Sequence, residues 1–385
     1  ILSKIKRLLM EIDEDIAKQS IKALGGVDTL YFFANVFGEL YRNFYFKEIK
    51  DLEKDDFIRV SELYSLEYIG YSGNPNGFIG SFFRLYVAID GHNYPVTRIG
   101  FKNPDKQRNV LNCYCQIEGS SIYMFGITKT LFYILEFLNT SFDCSVDLSN
   151  CQASRVDVNA FVNYDFSSIN KENFRTRLLV EKDSFGDGFL YGTRGNTQTL
   201  YFGSRESKVG FKMYNKKLEL RQNLSASSFV KQAFLCSAFG VSADDISYLY
   251  SDFQVWNIEF SFKREVLREF DACTVDKVLS KVLSLFEFGM DYVVFLGFDD
   301  EKIAKFRANN NQHLLKSCDL WKHIKDNATF SNIDFGDEYV NRVIKKSAEA
   351  HKEYYLKMIK AQLRHIREHN LSLTSDELLQ LYYDE

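Results

Sequence analysis

Three short segments carry the side chains of this chain that could do chemistry together. In SRVDVNAFV (154–162), strand alternation would put Arg155, Asp157 and Asn159 on one side and Val156 and Val158 on the other. In VGFKMYNKKLEL (209–220), Lys212, Tyr214 and Lys216 share a side, with Phe211 and Met213 opposite. In WNIEFSF (256–262), Asn257, Glu259 and Ser261 alternate with Trp256, Ile258 and Phe260. If these strands are neighbours in a sheet, one surface collects Asp157, Glu259, Tyr214 and Lys212, with Glu219 as a third acid at its margin. Carboxylate oxygens suit a hard divalent cation such as Mg or Mn, which would polarise a phosphodiester as a Lewis acid. A tyrosine hydroxyl has a pKa of about 10 and is a poor nucleophile at neutral pH. Lys212 and Lys216 beside it would favour the phenolate, and attack would give a covalent phosphotyrosine. Lys212, Lys216, Lys217 and Arg205 would hold phosphate oxygens. Taken singly, each residue reads more simply as a solvated polar group on a strand face. Only the set points to a reaction.

The elements that must position these residues can be read along the chain. Of 385 residues, 45% are hydrophobic and 26% charged, which excludes disorder over most of the length. The 16% aromatic content favours sheets over a plain helical bundle. A net charge of -4 excludes a globally basic nucleic-acid binder and leaves room for a local basic groove. Seven cysteines without a CxxC pair argue against a disulfide framework or zinc ribbon, and point to reduced thiols in a cytoplasmic protein. The longest apolar run, LFYILEFL at 131–138, is far short of a membrane span, so no membrane partner is expected.

Residues 1–60 read as a helical N-terminal region, with Gly25-Gly26 as a helix stop. FFRLYVAI, VTRIGF and LNCYCQIEG, within 61–120, read as strands joined by turns. Residues 127–140, 225–240 and 275–288 read as helices, and 199–205 as a further strand. Residues 340–369 read as a long charged helix inside a C-terminal helical region, 331–385. The fold class is therefore α+β: an antiparallel sheet with helices packed on one face, a central domain over 61–330, and helical ends.

The stretch TLYFGSRESKVGFKMYNKKLEL resembles the signature of the rolling-circle replication initiators of the Rep_trans type, also called replication initiation factors. That pattern is a strand with Tyr-x-Gly-Ser-Arg-x-Ser, then one with Arg-x-Tyr-Asp/Asn-Lys-x-x-Glu. It is met here as Tyr201, Gly203, Ser204, Arg205 and Ser207, then Lys212, Tyr214, Asn215, Lys216 and Glu219. Upstream, SRVDVNAF resembles the family's Thr-Arg-x-Asp strand, and downstream WNIEFSFK resembles its Arg-x-Glu strand. The similarity covers about 150–265 and extends more weakly back to about 85.

The resemblance implies a sheet of the HUH-endonuclease or Rep-like type and a metal-dependent, site-specific DNA nickase with its motifs in 154–262. Such proteins join the 5′ phosphate of the cut strand through tyrosine and leave a 3′ hydroxyl to prime synthesis. Plasmids, phages and integrative elements use them, and related relaxases start conjugative transfer. By motif match Tyr214 would be the nucleophile, with Lys212, Arg205 and Lys216 beside it. Asp157, Glu259 and Glu219 would bind Mg or Mn, and Arg155, Ser204, Ser207 and Lys217 would contact DNA. The partner implied is origin DNA, single-stranded or supercoiled, with room for a host helicase and a homodimer.

Two positions depart from the family pattern. Lys212 stands where the family has Arg, losing the bidentate fork, and Trp256–Asn257 replaces the Arg-x before Glu259. No His-hydrophobic-His triplet is present, so a carboxylate metal site is required. These departures open a second reading, a non-catalytic DNA-binding regulator. His365 and His369, four apart among arginines, read as a solvated basic helix face.

Overall fold

A twelve-stranded sheet dominates the computed structural model. Residues 21–49, 52–73, 78–106, 111–176, 178, 190–193, 196–203, 207–223, 225–248, 251–309, 311 and 314–330 are described. Its strands are β1 (Ala23–Ala34), β2 (Phe57–Arg59), β3 (Tyr64–Gly73), β4 (Ile79–Ile89), β5 (His92–Phe101), β6 (Cys113–Ile117), β7 (Gln152–Val162), β9 (Leu190–Thr193), β10 (Asn196–Phe202), β11 (Val209–Asn215), β12 (Trp256–Lys263) and β14 (Thr329–Phe330). Eleven follow the antiparallel order β2-β3-β4-β5-β6-β1-β7-β12-β11-β10-β9, and β14 pairs in parallel with the start of β1. β8 (Phe174–Thr176) and β13 (Val293–Phe295) form a separate ladder. The helices are α1 (Glu39–Asn43), α2 (Gly119–Phe125), α3 (Ile127–Phe142), α4 (Lys216–Gln222), α5 (Ala226–Phe239), α6 (Ala243–Ser247), α7 (Arg264–Glu269), α8 (Val275–Leu279), α9 (Val282–Tyr292), α10 (Asp300–Ala308) and α11 (Asp319–Asn327). The α+β class and the antiparallel sheet are as expected. No single described helix is long and apolar enough to cross a membrane.

Period two sorts the central strands into two faces. Val156, Val158, Ala160 and Val162 of β7 share the main core with Phe211 and Met213 of β11 and Ile258, Phe260 and Phe262 of β12. α3 adds Leu131, Ile134, Phe137 and Leu138, and α9 adds Leu285 and Phe286. Each such side chain contributes about 1.5–3 kcal/mol on burial. The opposite face is covered at one end by a second cluster. There Phe161 packs with Tyr123 of α2, Leu220 of α4, Leu235 and Phe239 of α5, and Ile246 of α6. Helices therefore lie on both faces, which corrects the one-face arrangement. The helix faces apolar enough to pack sit on both sides of β7 and β12 in the chain.

Two further expectations change. The helical region over 1–60 is a strand between Ala23 and Ala34, and that strand lies at the centre of the sheet between β6 and β7. A bulge between Val27 and Thr29 shifts the phase of alternation by one residue. Buried Ala23, Val27, Leu30 and Ala34 then stand four, three and four apart, which imitates a helical stripe. Gly25 stops no helix. It makes room for the Phe330 ring of β14, whose Cζ would lie 2.5 Å from an added Cβ. The segment 209–220 is also broken: β11 ends at Asn215, whose side chain accepts from the Leu218 amide and starts α4. The region 331–385, with His365 and His369, lies outside the described residues, as do residues 1–20.

Helix α9 presses on the site-bearing strand β12 at one point. A Cβ on Gly289 would lie 2.5 Å from Cγ of the fully buried Phe260. Gly289→Ala should therefore destabilise the fold by about 1–3 kcal/mol through overpacking, read as a lower denaturant midpoint at unchanged slope. An unchanged midpoint would show that the helix can step away from the sheet without cost.

Candidate active site

The three chemistry-bearing segments are adjacent strands. Register places Lys212 opposite Glu259 and Glu259 opposite Asn159, while Tyr214 faces Asn257 and Asn257 faces Phe161. Ser261 pairs with Asp157, and Asp157 with Thr29. Asp157, Glu259, Lys212 and Tyr214 thus share the face opposite the main core, as alternation requires.

On that face the polar groups form one chain of contacts. The Tyr123 hydroxyl donates to Asp28 Oδ1 at 2.6 Å. Asn159 Nδ2 donates to the Tyr123 hydroxyl at 3.4 Å and to Asn257 Oδ1 at 2.8 Å. Asn257 Nδ2 donates to the Tyr214 hydroxyl at 3.0 Å and to Glu259 Oε2 at 3.2 Å. Lys216 Nζ donates to the Tyr214 hydroxyl at 3.2 Å and pairs with Glu219 Oε2 at 2.8 Å. Lys212 Nζ lies 4.2 Å above the Tyr214 ring and 5.9 Å from that of Tyr201. The Tyr214 oxygen thus receives two N–H donors, although only 6% of the residue is exposed.

Burial sets the electrostatics. It pushes the Tyr214 phenol well above 10, and the carboxylates of Glu259, Asp28 and Glu219 push the same way against the Asn257 hydrogen bond. This corrects the expectation that the lysines favour the phenolate: at rest the group is a neutral phenol. Burial and the neighbouring Asp28 raise Glu259 to about 8, against Lys212. Burial and the Lys231 ammonium lower Lys216, against Glu219 and Asp28. Burial alone would raise Asp28, but Lys216, Lys231 and the Tyr123 hydroxyl outweigh it and bring the carboxyl down. For Lys212 burial is likewise outweighed, by Glu259 and Tyr201, and the ammonium is held charged.

The remaining expected residues divide. Arg155 grips Asp157 with Nε and Nη2, both at 2.7 Å, and Nη2 also reaches Ser261 Oγ at 3.2 Å. Lys217 is removed from the phosphate-binding set. It is 2% exposed and its Nζ donates to the carbonyls of Ser251 and Phe253 and to Ser251 Oγ. The turn into α4 at Lys216 points it away from the sheet face. Ser207 is half-buried in the connection between β10 and β11, and Ser204 and Arg205 lie outside the described residues. Of the expected Mg or Mn ligands, two are ion-paired in this arrangement. Asp157 is tied to Arg155 and Glu219, on α4, to Lys216. Among the described residues no three His, Cys, Asp or Glu side chains stand close enough to share a metal.

Two members were missed in the sequence. Asp28 sits at the β1 bulge, inside a stretch that reads as helix. Tyr123 arrives from α2 on the second helical layer. The signal for Asp28 was the lone acid in an otherwise uncharged run, LGGVDTLYFF, which strand geometry would have aimed at the polar side.

Fold and site together define an α+β protein with a buried tyrosine–lysine–carboxylate cluster on one face of an antiparallel sheet. No family model matches the sequence, and no curated protein matches it.

The raised Glu259 makes a measurable prediction. Between the ordinary carboxyl value of 4.5 and about 8, the unfolded chain gives up the proton that the folded chain keeps. This group's stabilisation is whole below the lower value and lost as pH rises through the upper one. Glu259→Gln should flatten the fall in unfolding free energy across that window, measured by denaturation at a series of pH values. Parallel profiles for the two proteins would exclude a proton held on Glu259.

Proposed function

We propose that the chain is a site-specific single-strand DNA endonuclease that starts rolling-circle replication of a mobile element, or its conjugative transfer, through a 5′-phosphotyrosine. The observation that carries this reading is the 3.2 Å contact between Lys216 Nζ and the Tyr214 hydroxyl. A lysine lowered by burial gives its proton to water more readily, and the neutral amine that results can then take the phenol's proton. The Tyr214 oxygen attacks phosphorus, the bond from phosphorus to the 3′ oxygen breaks, and that oxygen takes up a proton from water. Asn257 Nδ2 orients the attacking oxygen and Lys212 supplies positive charge beside it. The motif order around Asp157, Tyr214 and Glu259 supports the same reading. No step here passes through Mg or Mn, because two of the three acids expected to hold it are already paired with cations.

Burial of Tyr214 at 6% exposure favours a second reading, a DNA-binding regulator with the same fold and no cleavage. One experiment separates them. Full-length protein is incubated with supercoiled DNA of its own genetic element, with and without Mg or Mn, and 5′ ends are examined for covalently attached protein. An adduct lost in Tyr214→Phe, with DNA binding intact, is the expected result, and Lys216→Met should slow adduct formation by about 100-fold or more. An undiminished adduct in Tyr214→Phe would remove that residue from the role. Binding without any adduct would leave the regulator.

A further inference from the structure

The polar face continues past the candidate site along a second register row. Arg84 lies opposite Arg98, Arg98 opposite Gln116, and Gln116 opposite Tyr31. Tyr31 then lies opposite Arg155, and Arg155 opposite Lys263. Four cations are therefore in line across six strands, from β4 to β12. At about 4.8 Å per strand the row is about 24 Å long. None of Arg84, Arg98, Tyr31 or Lys263 takes part in the tyrosine cluster.

Each arginine is placed to accept an anion. Arg98 lies 4.6 Å over the Phe82 ring, and its Nε is buried with no hydrogen-bond partner among the described residues. A buried guanidinium N–H without an acceptor is unfavourable, so a ligand oxygen supplied to it is worth more than one supplied to a solvated arginine. Arg84 spends Nη1 on Glu67 at 2.9 Å, also bonds the Tyr86 hydroxyl, and is otherwise half exposed. Arg155 spends Nε and Nη2 on Asp157 and Ser261, which leaves the two Nη1 hydrogens. Arg155 also lies 5.2 Å over the half-buried ring of Tyr31. Beside Arg98 a cavity of about 440 Å³ opens, lined by Arg84, Tyr86, Ser120, Ser225 and Ser227. Glu118 is the acid on its wall. Two guanidinium groups, one with an unpaired N–H, thus flank a cavity that has room for a phosphate, while the Tyr86 hydroxyl donates to Glu67 and those of Ser225 and Ser227 bond each other.

We propose that this row binds the backbone of single-stranded DNA, with one phosphate seated in the cavity between Arg84 and Arg98. A line of cations with an aromatic ring at its middle is the pattern of single-strand tracks, where phosphates meet the cations and bases stack on the ring. A recessed cavity admits the phosphate of a flexible strand, which can bend into it. Reading the chain as a DNA-handling protein bears only on the choice of DNA over RNA.

The test is fluorescence anisotropy of the full chain with labelled dT20 between 50 and 300 mM KCl. Each phosphate contact contributes about 0.7 to the slope of log affinity against log salt for a single strand. Arg84→Ala with Arg98→Ala should weaken binding by about 10-fold or more at 100 mM salt and reduce the slope by about 0.7, the share of the one phosphate they hold. Ser227→Glu, which puts a negative charge at the cavity and leaves the arginines in place, should weaken it in the same direction. If the double variant melts early, Ser227→Glu decides. Wild-type affinity and slope in the folded variants would overturn the proposal. Equal affinity for rU20 would overturn the choice of DNA. The covalent adduct on supercoiled DNA is read separately from dT20 affinity, so failure of the nicking reading and failure of the track are told apart.

Discussion

The contact between the Lys216 ammonium and the Tyr214 hydroxyl, 3.2 Å long, sits where water is nearly absent. In such a place a charge is tolerated only if other groups answer it. Glu219 answers Lys216 directly, and Asp28 does so at longer range. Asp28 in turn is held by Lys231 and by the Tyr123 hydroxyl. Removing any one member leaves a buried neighbour uncompensated, so the cluster behaves as a unit and single deletions would not partition its energy. The two asparagines matter for the same reason. Asn159 and Asn257 are neutral, yet they carry the hydrogen-bond chain from Tyr123 to Tyr214 without adding a charge to be desolvated.

That arrangement exists only in one register. A slip of one residue in β12 would turn Glu259 into the main core and Phe260 onto the polar face. Phe260 blocks the slip, because it packs against Phe211, Phe286 and the backbone of α9 at Gly289. The apolar face therefore fixes the chemistry on the other side. The bulge in β1 has the complementary effect. It lets the strand keep Val27 and Leu30 in the core while Asp28 turns to the polar face beside Tyr123.

This explains how much could be read from residue order. Period two in 154–162, 209–215 and 256–262 was sufficient to put Asp157, Tyr214 and Glu259 on a common face, since alternation is local and needs no knowledge of partners. The bulge defeated the same rule in β1, because one inserted residue turns alternation into an i, i+3 step. Lys217 was misplaced for a related reason. Asn215 is both the last residue of a strand and a helix cap, and its capping role shows only when the amide of Leu218 is seen bonded to it. The direction of the Tyr214 shift was beyond local reading altogether. Two lysines near in sequence argued for the phenolate, whereas burial outweighs them, and the carboxylates of Glu259 and Asp28, distant in the chain, push the same way.

Arg155 joins the tyrosine cluster to the row that runs away from it. Its bidentate grip on Asp157 fixes the plane of the guanidinium, and the pair's opposite charges lower the field that a distant anion would feel. What the pairing takes from long-range attraction it returns as alignment, because the guanidinium plane that carries the remaining Nη1 hydrogens is held in one orientation. Arg98 is the opposite case: stacked on Phe82, with Nε unpaired and a cavity beside it, it keeps its full charge but presents it only at short range. A surface built this way discriminates by geometry more than by field. That suits a chain whose net charge of -4 gives it no general attraction to polyanions and must concentrate any such affinity on one face.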